Sequence, residues 1–578
     1  MADATVPAMG VRFGAWRGSL NGGVLLMALL IGVMGFYVLY PLILILINRF
    51  NLATIAEPPV YGLKAWKEAF SEPGILRSLW NSVRIGVILQ LVALPLGIFV
   101  SWLLARTNIF FASGFELFFW VSFMMPTIAT TFGWMLLLDP NTGLINTAIR
   151  QVPIIGNHTF DIYSFWGIIW AHLVSTGIST KVMLMTPAFR RMDSSLEEAS
   201  RMSGASTWTT MRKITVPMMT PIIIVVMLLS VIRIFSSFEI ELLLGVPWGF
   251  YVYSTKIVDL ARQEPPLVSH AAALGSIILL FLVAFIPLQR KLINRRKFTT
   301  VTGQYKPRII DLGAWRYPAT AFVALVVLIL DVVPILSVLG GSFMTRFGFF
   351  HLPKTWTMEY WKMALGDPRL TMALQNTLIV AVSAALIGAV LFSLIAYVIV
   401  RTKLPGRSLL DSICWLPSAI PGVLTGLGLL WLFLGTPVFR PFYGELKLIV
   451  IAYILGGVTL STQILKANFV QLGSELEEAS RMSGAGFWRT YFGIVLPLMA
   501  QTMVMICVIK FMFASQHAAS IIMLATSETR TLILLALDQV FAGHREVASI
   551  TVVFIMTLTL GVALIARSFG LKVGLRTE

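Results

Sequence analysis

Eight stretches of this chain each run at least 18 residues without a charged side chain: 24–47, 85–105, 117–138, 271–288, 371–400, 412–439, 448–465 and 547–566. About 20 mainly apolar residues are enough for a helix to cross the hydrocarbon core of a bilayer. Four further candidates carry ionisable groups: 162–180 (His172), 216–244 (Arg233, Glu239, Glu241), 318–341 (Asp331) and 494–524 (Lys510, His517). Twelve spans are expected, which makes the fold class an all-α polytopic membrane protein. Prolines inside several of them, such as Pro41, Pro95 and Pro421, are tolerable because neighbouring helices satisfy the freed carbonyls. Composition closes off the other classes. Charged residues are 12% of the chain, about half the ~25% of a soluble globular protein, so a water-soluble enzyme or nucleic-acid binder is excluded. The 57% hydrophobic content excludes disorder. Cys414 and Cys507 lie inside apolar runs, which leaves no disulfide framework or Cys-rich metal site.

Arg12 and Arg17 precede the first apolar run, which is too long for a signal-peptide core and is read as a retained span. With twelve spans and both termini cytoplasmic, nearly all of the +17 net charge falls on the inner side, as the positive-inside rule requires. The densest cluster is Arg290, Lys291, Arg295, Arg296, Lys297, Lys306, Arg308 and Arg316, between spans six and seven. It reads as an anchoring linker at the surface of the lipid bilayer, and no nucleic-acid partner is expected.

The chain is also duplicated. Residues 193–217 and 473–497 share 15 of 25 positions at an offset of 280, including Trp208/Trp488, Ile214/Ile494 and Pro217/Pro497. A weaker register, offset 295, joins Asn81 to Asn376, Arg106-Thr107 to Arg401-Thr402, Trp120 to Trp415 and Pro126 to Pro421. The extra residues of the first half are expected in the outer loop 139–161. An even number of spans per half makes the repeats parallel, related by a pseudo-two-fold axis along the membrane normal.

The strongly repeated segment is expected to be a rigid helix-turn-helix on the cytoplasmic face. Ser194-x-x-Glu197 and Ser474-x-x-Glu477 read as capping boxes. Gly204 and Gly484 suit the left-handed position that ends each helix, and a second short helix carries Trp208 or Trp488. Pro217 and Pro497 suit the first turn of the following span. A short amphipathic helix present twice looks like a docking element for a duplicated partner. A helix merely lying in the headgroups would set its Glu pairs against anionic lipid and needs no such identity between halves.

The pattern Glu198-Ala199-Ser200-x3-Gly204-x9-Ile214-x-Val216-Pro217, with Glu478-Ala479-Ser480-x3-Gly484-x9-Ile494-x-Leu496-Pro497, resembles the EAA motif of permease subunits in type I ATP-binding-cassette (ABC) importers. Both copies have Ser at the third letter, and the first has Val216 where Leu is usual. The resemblance covers nearly the whole chain, and implies two tandem MetI-like six-helix permease modules. It divides the chain into a tail (1–20), a first module (21–290, core 77–288), a basic linker (291–316), a second module (317–570, core 372–566) and a tail (571–578). Glu197, Glu198, Ala199 and Gly204, with Glu477, Glu478, Ala479 and Gly484, would form the segments that couple to two copies of a cytoplasmic ATPase. No Gly-x4-Gly-Lys-Ser/Thr occurs, so ATP and Mg are expected on those partners, with no cofactor and no catalytic site in this chain. A periplasmic or extracellular substrate-binding protein would deliver the solute to this inner-membrane subunit.

Ionisable groups at membrane depth are functional candidates. Arg233, Glu239, Glu241 and Lys510 are the candidate pathway or gate residues, with interhelical pairing or snorkelling as their plainer reading. His172 reads as a satisfied core histidine, and no cluster has metal-ligand spacing. The single-chain, twelve-span layout, with Ser237-Phe238-Glu239 followed by 243–247, resembles the fused permeases of ferric-iron importers. Permeases for 2-aminoethylphosphonate, polyamine, thiosulfate or molybdate share much of the pattern. An ion-coupled secondary transporter is the alternative class; it would depend on Asp331, Glu239 and Glu241. A membrane-embedded enzyme finds no support, since no His-Glu-x-x-His, paired carboxylates or Ser/His arrangement is present.

Overall fold

The computed structural model describes residues 16–51, 58–72, 74–152, 158–192, 195–295, 309–473 and 475–568. Each of the twelve expected spans corresponds to a helix or a bent helix pair, and no strand forms among the described residues. Five spans are continuous: the first (Gly22–Asn48), second (Ile75–Arg106), seventh (Gly313–Gly341), eighth (Pro368–Arg401) and twelfth (Arg545–Ser568). The sixth is the helix Val268–Arg295. The other six are broken, and the breaks recur in the same order in both halves.

The third (Ala112–Met124 with Thr127–Leu138) and ninth (Arg407–Ser418 with Gly422–Gly435) bend by 97° and 112°. Pro126 and Pro421 cause this, each standing just before the second helix without an N–H to continue the ladder. The fourth (Phe165–Gly177 with Ser179–Arg190) and tenth (Leu446–Gly456 with Val458–Gln471) bend by 40° and 52°. The fifth (Thr207–Met218 with Thr220–Ser236) and eleventh (Phe487–Leu498 with Ala500–Gln516) bend by 66° and 77°. This matched series is what a parallel duplication should leave in the backbone. The longer outer connection of the first half carries a helix, Leu144–Arg150, where the second half has only the turn Arg440–Phe442.

Two expectations need correction. The fifth span does not run from 216 to 244: it ends at Ser236, and Ser237 and Phe238 leave helical geometry before a separate short helix, Glu239–Leu244. Ser237 turns its hydroxyl onto the Glu241 carboxylate, and the two glutamates sit in the first turn, where the helix dipole favours negative charge. Pro217 and Pro497 do not open the spans that follow. Each ends the preceding helix, two residues before the 66° or 77° bend, and Pro221 occupies the first turn of the fifth span proper. Ser194 and Ser474, the two tails at 1–15 and 569–578 and the linker residues 296–308 lie outside the described residues.

The halves exchange their first spans. The first span packs on the ninth, and the seventh packs on the third. Two glycines at the 295 offset allow the contact: a Cβ on Gly428 would lie 2.8 Å from Pro41 Cβ, and one on Gly133 would lie 2.7 Å from Pro334 Cα. Beside these seams Phe36 of the first span meets Phe439, just past the ninth, and Phe322 of the seventh meets Phe99 of the second, at ring separations of 5.5 and 5.7 Å. The chain enters the seventh span beside the end of the second. Ile310 N–H donates to Arg106 O at 2.7 Å, and Asn108 N–H donates to Ile310 O at 3.2 Å. The Gly313 N–H and the Asn108 side chain hold the exposed Asp311 carboxyl below its ordinary range.

Candidate functional site

The repeated segment folds as two copies of one device at one face of the bundle. The first motif helix is Ser195–Met202 and the second is Glu475–Met482. Both end in a Schellman arrangement. Ala205 N–H donates to Ser200 O at 3.1 Å and Gly204 N–H to Arg201 O at 2.9 Å; Ala485 and Gly484 repeat this at 3.1 and 3.0 Å. Gly204 (φ +82°) and Gly484 (φ +79°) hold the left-handed conformation. The serine at the third motif letter has a use: Ser200 Oγ lies 3.0 Å from Thr210 Oγ1, and Ser480 Oγ 2.9 Å from Thr490 Oγ1. Each motif helix is thus pinned to the short helix after it, Thr207–Thr210 or Phe487–Thr490.

Gly204→Ala is expected to strain the turn, since an L-residue in this region costs roughly 1–2 kcal/mol. A Cβ there meets nothing within 4 Å, so the effect is conformational rather than steric. Hydrogen exchange of 195–205 should quicken while the global melting temperature hardly moves.

The inward side of each motif helix is fixed by its first glutamate. Glu197 is buried, paired with the buried Arg106 guanidinium at the end of the second span, and accepts from Thr215 Oγ1 at 2.6 Å. Glu477 takes the equivalent Arg401 at 3.4 Å and accepts from Tyr397 OH at 2.9 Å. Arg106 and Arg401 were legible only as one matched pair in the weaker repeat register, with nothing to assign them a partner. One level deeper, ion pairs tie the third span to the fourth (Glu116–Arg190) and the ninth to the tenth (Asp411–Lys466, 2.6 Å).

The outward side is apolar and open. Met202 is 90% exposed and Met482 88%, and Leu196, Trp208, Leu476 and Trp488 are all more than half exposed. Ala199 and Ala479 are exposed as well, Glu478 is exposed and Glu198 half-buried. The same exposed apolar side chains thus recur at matching positions of both copies.

The four membrane-depth candidates do not form one site. Arg233 is exposed and donates to Thr180 Oγ1 at 3.2 Å. Lys510 is buried and donates to Ile454 O at 3.2 Å and to Tyr453 O, carbonyls just before the tenth-span break at Gly456-Gly457. Lys181 does the same in the first half, donating to Gly177 O at 3.0 Å beside the fourth-span break. Both ammonium groups therefore satisfy carbonyls at paired kinks.

Glu241 and Glu239 lie together on the short helix after the fifth span. Glu241 takes His172 Nε2 at 2.8 Å and the Ser237 hydroxyl, so His172 is a partnered core histidine. Glu239, buried, reaches across to the second half. Its Oε1 accepts the Ala518 N–H at 2.9 Å and lies 3.8 Å from His517 Nδ1. Ser237-Phe238 and His517-Ala518 correspond at the 280 offset, so the breaks ending the fifth and eleventh spans meet at the pseudo-two-fold axis. Asp331 sits in a π-turn of the seventh span, buried, with no hydrogen-bond partner for either carboxylate oxygen among the described residues. No group of three His, Cys, Asp or Glu side chains among the described residues could hold a metal ion.

Twin helical halves with exchanged first spans, a meeting of broken spans on the axis and two like motif helices on one face define a membrane permease. The family model for the inner membrane component of binding-protein-dependent transport systems matches residues 93–299 and 389–574. The chain belongs to that family, as a permease subunit of an ABC importer. The chain is 25% identical over 535 residues to the ferric transport system permease protein FbpB of Actinobacillus pleuropneumoniae, covering 91% of this chain and 75% of that one. It is 26% identical over 234 residues to the sulfate transport system permease protein CysT of Escherichia coli, covering 37% of this chain and 83% of that one. A chain of a bacterial alginate ABC transporter, solved with an alginate-bound periplasmic protein, aligns at TM-score 0.41 and 17% identity, covering 50% of this chain and 99% of that one. Family membership sets aside the ion-coupled alternative.

Proposed function

We propose that this permease carries ferric iron across the inner membrane, driven by two ATPase subunits that seat on its two motif helices. The observation that carries the docking reading is the two-sidedness of those helices. Each is anchored inward by a buried glutamate paired with an arginine and presents exposed methionine, leucine and tryptophan outward, at the same face, twice. That face is then the cytoplasmic one, with both termini on it, and ATP and Mg belong to the partners. Closure of the ATPases would draw the motif helices together. The second and eighth spans would follow through Arg106 and Arg401.

On the same reading the gate is the meeting of broken spans on the axis, with Glu239 of the first half holding the Ala518 amide of the second. Arg233 and Lys510 stand apart from it and serve packing. The substrate-binding protein would release its cargo from the opposite face. Iron is favoured by the ferric permease relative, which the alignment covers along most of both chains, whereas the sulfate permease matches little more than a third of this one. The protein supplies no metal cage among its described residues, so selection of the ion is assigned to the binding protein.

A strain lacking this permease, grown under iron limitation, tests both parts. Wild-type chain should restore uptake of radiolabelled ferric iron. A chain with Glu198→Ala and Glu478→Ala should reach the membrane at normal levels but restore little uptake. Unchanged ferric uptake in the deletion strain would remove iron; full rescue by the double variant would remove the docking role of these glutamates.

A further inference from the structure

A groove runs between the halves on the motif-face side of the bundle, away from the axial meeting of Glu239 with Ala518. Its first wall is Leu117, Trp120 and Met124 of the third span; the other is Val508 of the eleventh span and Ala563 of the twelfth, with Arg567 at the lip. It is a shallow, narrow groove open on one side, with about 60 Å³ of enclosed space. Arg567, exposed in the last turn of the twelfth span, is the only charged side chain lining it among the described residues.

The direction of the helices places this groove in one leaflet. The twelfth span begins at the far face, where Glu546 accepts the Phe347 N–H at 2.9 Å, and so ends at the motif face. The third span starts at Ala112, a few residues after the Arg106–Glu197 pair, and the eleventh proper starts at Ala500, after the second motif helix. From Leu560 to Arg567 the wall rises about 10 Å at 1.5 Å per residue, within the roughly 15 Å of hydrocarbon in one leaflet.

We propose that this groove binds one anionic phospholipid of the motif-face leaflet, with an acyl chain along the Leu117–Met124 wall and the phosphate on Arg567. An apolar lining is unsuited to a charged solute but matches a hydrocarbon chain, and a lone guanidinium at the lip complements a phosphodiester. Behind the groove, Val508, Met512 and Ala566 form a small buried cluster with Met124, Val562 and Ala563, joined to the main hydrophobic core through Val562. Because its walls belong to different halves, the lipid bridges them. It also leans on the eleventh span, whose far end presents His517 and Ala518 to Glu239.

The test uses the full chain in nanodiscs of phosphatidylcholine doped with phosphatidylglycerol carrying a photoreactive diazirine on one acyl chain. After illumination, peptides covering 112–124 and 500–516 should carry the label. Arg567→Gln should lower that labelling several-fold, and Ala563→Phe, which fills the groove, should remove it. Diazirine phosphatidylcholine should label these peptides several-fold less than the anionic lipid. Equal labelling by the two lipids, or labelling unchanged in Arg567→Gln, overturns the proposal; should Ala563→Phe misfold, those two comparisons decide it alone.

Discussion

Arg106→Met is expected to be the most damaging single polar substitution in the molecule. It leaves the Glu197 carboxylate buried with only the Thr215 hydroxyl to face it. Removing one partner of a buried ion pair costs about 3–5 kcal/mol, because the other charge stays uncompensated. The equivalent Arg401→Met should cost less. The side chains of the first pair are 1% and 4% exposed and those of the second 15% and 10%, and Tyr397 still donates to Glu477. Thermal unfolding of the two purified variants should therefore fall in that order.

A compensated variant separates stability from transmission. Arg106→Met with Glu197→Leu removes both charges, and well-packed apolar replacements of a buried pair are often neutral. Its melting temperature should return most of the way to wild type while uptake stays low, because nothing polar then ties the motif helix to the second span. Recovery of uptake together with stability would reduce the pair to a structural role.

The second large effect is steric. Valine at Gly133 or Gly428 would drive its Cβ into the backbone of a first-span proline from the other half, with a contact to the Pro334 carbonyl oxygen at 2.8 Å or to the Pro41 carbonyl oxygen at 3.0 Å. Both neighbours are main chain and cannot rotate away. Overpacking a tight interior costs about 1–3 kcal/mol, and here it forces apart a whole helix seam. Either variant should purify in low yield as an aggregating species, judged by size-exclusion chromatography in detergent. Valine at Gly22, which has nothing within 4 Å, serves as the control.

Much of this molecule was legible because membranes simplify the reading. A 20-residue run without charge admits few alternatives to a helix, so twelve spans could be counted. The motif helices were legible because Gly204 and Gly484 each mark a stop that other residues tolerate badly. The exchange of first spans left no local signal. Gly133 and Gly428 look like ordinary helix glycines until the proline that touches each is found, 200 residues or more away in the first case and close to 400 in the second. The role of Glu197 was hidden for the same reason. A capping box predicts a contact three residues off, whereas the partner lies on another span, and periodicity carries no information about which helices become neighbours. The end of the fifth span is hidden differently: apolar residues resume at Leu242, Leu243 and Leu244 beyond the polar stretch Ser236-Ser237-Phe238-Glu239, so the pattern reads as one long span across a break.

The crossed first helices have a corollary for how the polypeptide holds together. Each half grips the other with an arm of its own, so the covalent joint near residue 300 is not what keeps them assembled. A single scission there would leave an interlocked pair, and the joint serves instead to deliver both arms in equal number from one translation.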